Sequence, residues 1–433
     1  MGTRATLEDA YNYAKGKAVE KNTGGGYTVQ KKTPYDWVAI TDHAEYMGVM
    51  PQVGDKNSDL SKTLKDNKIV QMIQSGDAKQ GETAFAMMAT QLATLNPDPG
   101  FNQPAILKSV WDKHVEAANK HYEPGKFTTL IAFEWTSIPS NQNLHRNVFF
   151  ADDKGPEVPF SAFDSDKPEE LWAYLQAQTN AGHDCFSISH NANLSNGLMF
   201  APRDSGGQPI NAFYAKRRAK YEVATEMIQV KGQSETHPAL SPNDEFAGFE
   251  QQYRNLIGTN PPVRGRVEYS YVRQALINGI GYQEYLGANP FKLGIVAGAD
   301  AHTAFSVNEE FNYTGAHGEV DATAKRRLSG AQQTAGEAAV NFGSAGATGV
   351  WAEENTREGI FNGIKNRECY GTSGPLIRLR LFGSWDYPKD LVTDDDFVKK
   401  AYAGGVPMGQ DLPAMKAGAK APTFAVWALK DPD

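Results

Sequence analysis

Cysteine is scarce in this sequence, with only Cys185 and Cys369 among 433 residues. Two thiols cannot build a disulfide scaffold, nor can they supply all four ligands of a zinc site made of cysteines alone. Cys185 lies inside the apolar run CFSIS, which indicates a core residue rather than a nucleophile. The functional prediction therefore depends on other side chains.

Long apolar runs and an excess of positive charge are also missing. No run of about 18 apolar residues occurs, so the sequence predicts no membrane-spanning helix. Acidic residues number 51 against 43 basic ones, which gives a net charge of −8. This balance argues against nucleic acid as the main partner, because a nucleic-acid-binding surface usually carries clustered positive charge.

Several common sequence signatures are absent as well. The chain has no P-loop, no Rossmann glycine fingerprint after a strand and no G-x-S-x-G elbow. Met1 to Thr6 is not followed by the apolar segment of a signal peptide. Instead, Thr6-Leu7-Glu8-Asp9 predicts a capping box that opens a helix.

Short apolar runs bounded by polar turns predict buried strands at 36–40, 128–133, 185–189, 223–230 and 292–298. Helical patterns lie between them at 104–122, 168–180 and 267–280. This alternation predicts parallel βα units in an α/β layered or barrel fold. Long polar stretches at 191–217, 233–265 and 303–348 predict loop insertions, and 376–433 predicts a small β-rich C-terminal part.

Four of these predicted strands end in residues that can bind metals, namely Asp42-His43, Glu134, His190 and Asp300-x-His302. The carboxyl ends of parallel strands meet on one face, where ligands bind. Imidazole and carboxylate groups suit Zn, Mn or Fe. A single histidine after a strand is more often a loop or cap residue, so the prediction of a multinuclear site depends on the joint pattern.

Further candidates lie close to these strand ends. A hairpin return after Glu134 would bring His145 to the same end, although the alternative is a residue that packs on Trp135. The fifth strand contains Glu226 and precedes Lys231, Glu235 and His237. Arg146 and Lys231 are candidates to hold an anionic substrate. His114 and His121 lie on a predicted helix and are expected to face solvent.

The motifs ITDHAEY (40–46), Glu134, ISHNAN (188–193) and AGADAHTAF (297–305) resemble successive metal motifs of the PHP (polymerase and histidinol phosphatase) superfamily. Over nearly its whole length the chain resembles a large bacterial branch of that superfamily, catalogued as a domain of unknown function. Stretches such as NLHRNVFF and QVKGQSETHPALSPNDEF also resemble that branch.

This resemblance implies a distorted (βα)7 TIM-like barrel over residues 1–375, with the three insertions, and an incomplete β-rich segment over 376–433. It implies two or three divalent transition metals, Zn, Mn or Fe, at the strand ends. The implied metal ligands are His43, Glu134 as a bridging carboxylate, His145, His190, Asp300 and His302. We expect hydrogen bonds to these ligands, which would fix their orientation, from Asp42, Glu226 and Glu235.

One motif of the superfamily is missing. Its members open with a strand that ends in His-x-His, whereas no histidine precedes His43 here. We therefore expect that the chain begins just after that motif and that its C-terminal end is also cut. Relatives in the branch favour a periplasmic or secreted location, although a cytoplasmic one stays open, and the sequence does not indicate an oligomeric state.

The resulting expectation is a metal-dependent hydrolase of small phosphoric, phosphonate or sulfate esters that uses a metal-activated water. Lys231 and Arg146 would act as electrostatic clamps on the substrate, and His190 or His237 would protonate the leaving group. Two alternatives are an amidohydrolase-type enzyme that cleaves C–N bonds and a non-catalytic remnant that binds an anion.

Overall fold

The computed structural model describes residues 3, 5–21, 27–252, 266–317, 341–415, 417–418 and 421–432. The helices are α1 (Leu7–Ala14), α2 (Val49–Gly54), α3 (Asp59–Thr63), α4 (Lys68–Gln74), α5 (Ala78–Ala93), α6 (Pro104–His121), α7 (Pro168–Asn180), α8 (Ala212–Tyr221), α9 (Val272–Leu286), α10 (Arg357–Lys365) and α11 (Phe397–Gly404). The strands are β1 (Val19–Lys21), β2 (Tyr27–Val29), β3 (Trp37–Ile40), β4 (Thr128–Trp135), β5 (Arg146–Phe150), β6 (Cys185–Ser189), β7 (Glu222–Glu226), β8 (Ile228–Gln229), β9 (Gly232–Gln233), β10 (Gly294–Val296), β11 (Ala347–Val350), β12 (Cys369–Thr372), β13 (Arg378–Ser384), β14 (Val406–Pro407) and β15 (Thr423–Leu429).

A six-stranded sheet with the order β10-β7-β6-β5-β4-β3 forms the centre of the molecule. Its strands pair in parallel except for β5, which runs antiparallel to both β4 and β6. Only ten residues, 136–145, join β4 to β5, which is too short for a parallel crossover. The α/β architecture is confirmed as a curled half-barrel, and the hairpin return to residue 145 is also confirmed.

The interior of this half-barrel is filled by apolar side chains of the strands and of one helix. This interior cluster includes Leu130, Ala132, Phe149, Phe186, Ile188, Val223, Ala224, Val296, Ile360, Phe361, Ile364 and Cys369. Helix α10 supplies three of these residues. The outer side of the sheet packs against α1, α6 and α7. Burial on both faces explains why the strands read as continuous apolar runs.

A helical insertion, α2 to α5, separates β3 from β4 and has its own core around Val53, Ile69, Val70 and Phe101. No sequence pattern predicts this insertion. Near the C-terminus, β13 pairs antiparallel with β14 and β15, and α11 covers one face of this small sheet. None of the helices in the described ranges is long and apolar enough to cross a membrane.

Several local predictions differ from the structure. The predicted strand 223–230 is interrupted at Met227, and the predicted helix at 267–280 runs from Val272 to Leu286. The prediction that His114 and His121 face solvent is wrong, because both are buried. His114 stacks on Trp111 and lies 3.1 Å from the Ile40 carbonyl oxygen, and His121 is 2.9 Å from a Glu8 oxygen. Helix α6 therefore uses these rings as packing surface.

Candidate metal centre

The six predicted metal ligands lie at one end of the half-barrel. His43 follows β3, Glu134 lies near the end of β4, and His145 precedes β5. His190 follows β6, and Asp300 and His302 follow β10. Glu134, for example, is two residues beyond Ala132 of the interior cluster, so strand alternation turns it to the interior face. The ligands therefore continue the interior column beyond its apolar part.

Glu134, His145 and His190 form what we call the inner group. The Glu134 Oε1 atom lies 3.0 Å from His145 Nδ1 and 3.1 Å from His190 Nε2, and all three residues are buried. Among the described residues, neither ring nitrogen of His145, nor Nε2 of His190, has an aligned hydrogen-bond partner. Unpaired buried polar atoms are costly, and here they lie around one point. The inner group can hold a metal ion.

His43 and His302 form what we call the outer pair, with their Nε2 atoms 3.1 Å apart. His302 Nδ1 lies 3.1 Å from the Asp300 carbonyl oxygen. A carbonyl oxygen can only accept a hydrogen bond, so the ring proton of His302 belongs on Nδ1. His43 Nδ1 lies 2.6 Å from Thr136 Oγ1 and 3.4 Å from Glu134 Oε2. The two Nε2 atoms thus face each other across a gap that a shared cation could occupy.

The distance between the two Nε2 atoms of the outer pair is close to that expected for two ligands of one zinc ion. Two nitrogens bound to one tetrahedral zinc, each at about 2.0–2.1 Å, would lie about 3.3 Å apart, close to the observed separation. The two oxygens of Glu134 point to different sets of imidazoles, Oε1 to the inner group and Oε2 to His43. Oε2 approaches His43 at Nδ1, whereas His43 faces His302 through Nε2.

The charge on Glu134 controls the protonation of its neighbours. Burial opposes ionisation of the histidines, but the Glu134 carboxylate outweighs it and raises the pKa of His43 to about 9 and of His190 to about 8. Burial lowers the pKa of His145 to about 4, and burial together with the Lys231 charge lowers the pKa of His302. Without metal, the Glu134 carboxylate thus lies among two charged and two neutral imidazoles.

Asp300 is held by the β8–β9 hairpin. Its Oδ2 atom accepts a hydrogen bond of 2.7 Å from Gln229 Nε2 and forms an ion pair with the Lys231 ammonium group. Burial raises the pKa of Asp300, but Lys231 more than offsets this and holds the pKa well below its usual range. Glu226 Oε2 lies 3.7 Å from His190 Nδ1, and burial raises the pKa of Glu226 to about 8.

Backbone strain accompanies these ligands. Asn191, directly after His190, has φ of 40°, and Asp300 itself has φ of 48°. The left-handed region costs non-glycine residues free energy, of the order of 1–3 kcal/mol each at constrained sites. Such strain persists where the surrounding structure requires it. Here it occurs in the turns that orient the side chains of His190 and Asp300.

Arg146 is not brought into the site. Strand alternation places it on the face of β5 opposite to His145, where its Nε donates to Glu222 Oε1 at 2.9 Å and its Nη1 donates to the Leu144 carbonyl. Arg218 binds the other oxygen of Glu222 at 2.7 Å. The predicted clamp on a substrate anion is therefore a buried structural ion pair.

Three other predicted residues also have different partners. Glu235 pairs with Arg273 of α9 and is half-buried. The His237 ring packs near Tyr271, with ring centroids 5.6 Å apart. Asp42 does approach an imidazole, as predicted, but it is His114, at 3.4 Å from Asp42 Oδ2 to His114 Nδ1. Lys231 reaches the site through Asp300.

Three residues at the site were not predicted from the sequence. Thr136 is two residues beyond Glu134, so strand periodicity could have indicated it. The His317 ring stacks on His302 with ring centroids 5.4 Å apart, and Gln229 contacts Asp300. No local pattern marks these two, because loop and hairpin packing creates their contacts.

Searches of curated proteins and of solved structures gave no match. A family model described as "Protein of unknown function (DUF3604)" matches residues 1–433. The chain therefore belongs to the DUF3604 family, as its resemblance to a branch of unknown function indicates.

Proposed function

We propose that this protein is a metal-dependent hydrolase of small anionic esters, either phosphoric esters or related phosphonate and sulfate esters. The observation that carries this proposal is the buried Glu134 carboxylate, which faces the inner group through Oε1 and His43 through Oε2. The resemblance of four strand-end motifs to those of PHP proteins supports the same function. A (βα)7 barrel of that type is part of the proposal.

The proposal includes two divalent transition metals, the first of them at the inner group, which can hold a metal ion. The inner group would hold one ion, and the outer pair would hold a second; Asp300 adjoins His302, with Asp300 Oδ1 3.7 Å from His302 Nδ1. Metals at such sites supply Lewis acidity and make water acidic enough to react near neutral pH. Imidazole and carboxylate ligands suit Zn, Mn and Fe alike.

The protein itself contributes orientation, charge balance and access. Thr136 and the Asp300 carbonyl fix the ring orientation of the outer pair. The His43 side chain is 35% exposed, whereas that of His190 is 1% exposed, so substrate reaches the centre from the side of His43. His190 faces Glu134 through Nε2, which favours a ligand role over protonation of the leaving group.

The experiment combines metal analysis with substrate profiling. Purified protein loaded with Mn²⁺, Zn²⁺ or Fe²⁺ is assayed against phosphomonoesters, phosphodiesters and aryl sulfates, with amides as the comparison class. We expect ester hydrolysis with bound metal in the wild type, and loss of both in Glu134→Gln. His237→Ala is the matched control, since its ring packs against Tyr271. A folded wild type that binds no transition metal, or cleaves only amides, would contradict the proposal.

A further inference from the structure

A buried ion pair adjoins His145 on the opposite face of β5. Arg146 Nε donates to Glu222 Oε1 at 2.9 Å, and Arg218 Nη2 donates to the other oxygen of Glu222 at 2.7 Å. These three side chains are at most 2% exposed. Trp172 Nε1 also donates to Glu222 Oε1, at 3.2 Å. Helices α7 and α8 and strand β7 are thereby joined to the first residue of β5.

The Arg146 guanidinium also bonds to the backbone that precedes His145. Its Nη1 atom donates to the Leu144 carbonyl oxygen at 2.7 Å. That carbonyl belongs to the peptide bond between Leu144 and His145. The N–H of Leu144 is fixed as well, because it donates to the Ser137 carbonyl oxygen at 2.9 Å. The backbone at His145 is therefore held from the face of β5 opposite to its ring.

The orientation of the His145 ring depends on this backbone. A histidine ligand usually donates its second ring N–H to an acceptor, which fixes the ring. In the described part of the chain, neither ring nitrogen of His145 has an aligned hydrogen-bond partner, although Nδ1 lies 3.0 Å from Glu134 Oε1. We propose that Arg146 is a positioning residue, which sets the direction of the His145 side chain through the Leu144 carbonyl. This inference rests on the proposed function, and specifically on an ion at the inner group.

Stability alone does not account for the arrangement around Glu222. Two buried guanidinium groups share this one carboxylate, and a buried ion pair generally stabilises a fold no more than apolar residues of similar size. The two arginines differ in their second partner. Arg146 bonds to the Leu144 carbonyl, whereas Arg218 bonds to the Met199 carbonyl at 2.8 Å, in a different segment of the chain. This difference provides a matched pair of variants.

The test compares Arg146→Met with Arg218→Met and uses Co²⁺ as the probe. Either change leaves one arginine paired with Glu222, so both proteins should fold. The visible absorption of Co²⁺ depends on the number and geometry of its ligands, and the part that is lost in His145→Ala reports the inner ion. We expect Arg146→Met to lower the Co²⁺ affinity about 10- to 100-fold, the usual effect of losing a partner that orients a ligand, and to change this absorption. Arg218→Met should keep the wild-type affinity and absorption.

Arg146→Lys covers the case in which Arg146→Met fails to fold. Lysine keeps the charge beside Glu222 but lacks the planar fork that reaches both Glu222 and the Leu144 carbonyl, so it too should lower the Co²⁺ affinity. Unchanged Co²⁺ affinity and absorption in a folded Arg146 variant, or an equal loss in Arg218→Met, would overturn the inference while leaving the metal centre intact. A wild type that binds no Co²⁺ would instead contradict the proposed function, and the inference with it.

Discussion

The inner group and the outer pair share one carboxylate but differ in access and support. The inner residues are buried within the half-barrel, and neither ring nitrogen of His145 has an aligned hydrogen-bond partner in the part of the chain that the structure describes. The outer pair is more exposed, and each ring is oriented through Nδ1 by Thr136 or by the Asp300 carbonyl. In the proposed two-metal centre, an inner ion would therefore stay bound and an outer ion would meet solvent and substrate.

The largest expected effect comes from removing the shared ligand. Glu134→Gln keeps the shape of the side chain but removes the charge that both positions use. We expect metal affinity to fall by more than about 100-fold at both, beyond the 10- to 100-fold typical of a supporting residue. Metal content after dialysis measures this, with Glu235→Gln as the control. Retention of either ion at wild-type affinity would show that the two positions do not depend on Glu134 equally.

The second prediction concerns metal removal. A chelator should remove the outer ion first and the inner ion more slowly, because the inner group is buried. An ion present at 100 times its dissociation constant stabilises the fold by about 2.7 kcal/mol, so complete removal should lower the unfolding temperature clearly.

Metal content and thermal unfolding, followed over time in chelator, check this order. His302→Ala should retain the stabilisation by the inner ion, and His145→Ala should lose it. Release of both ions at a single rate would remove the distinction between the two positions.

Much of this arrangement was predictable, because strand periodicity and the ends of apolar runs are local properties. Glu134, His190 and Asp300 were found in this way, and the hairpin return correctly brought His145 to Glu134. The position of Arg146 next to His145 predicts a contact with the substrate. This prediction does not take into account the alternation of side chains along β5. That alternation turns neighbouring side chains to opposite faces.

The residues that the sequence did not reveal depend on long-range packing. Gln229 meets Asp300 only because a tight hairpin follows β7, where the sequence pattern predicted one continuous strand. His114 and His121 are buried by contacts with Ile40 and Glu8, which belong to other elements. Helix periodicity alone cannot distinguish such a buried polar ring from an exposed one.

The third prediction concerns a change that should affect the outer pair but not the inner group. Thr136→Val preserves the shape of the side chain but removes the hydroxyl 2.6 Å from His43 Nδ1. We expect outer-ion affinity to fall about 10- to 100-fold while inner-ion affinity stays the same. Titration with Mn²⁺ followed by electron paramagnetic resonance measures the two affinities, and Thr303→Val serves as a hydroxyl control. Equal weakening at both positions would argue against an independent outer pair.

The smallest effect concerns protons. At pH 7 His43, with a pKa of about 9, and His190, with a pKa of about 8, are charged in the metal-free protein. Binding of metal to these two histidines must therefore release about two protons. Because these pKa values are raised by folding, the metal-free protein should lose stability as the pH rises through 8 to 9.

Calorimetry in buffers of different ionisation enthalpy counts the protons released, and unfolding at several pH values follows the stability. Metal affinity should rise with pH up to about 9. Release of no proton at pH 7 would contradict the charge balance around Glu134.

The antiparallel hairpin between β4 and β5 also bears on how the chain folds. Glu134 and His145 meet across this short connection, whereas His43 and His302 are 259 residues apart in sequence. Short loops close at a lower entropic cost than long ones, and local contacts form sooner. Two of the three inner residues can therefore assemble early, from a single stretch of chain, whereas the outer pair forms only when distant parts of the protein have docked. Mutations far from the site that loosen this docking should first be detected as a loss of the outer pair.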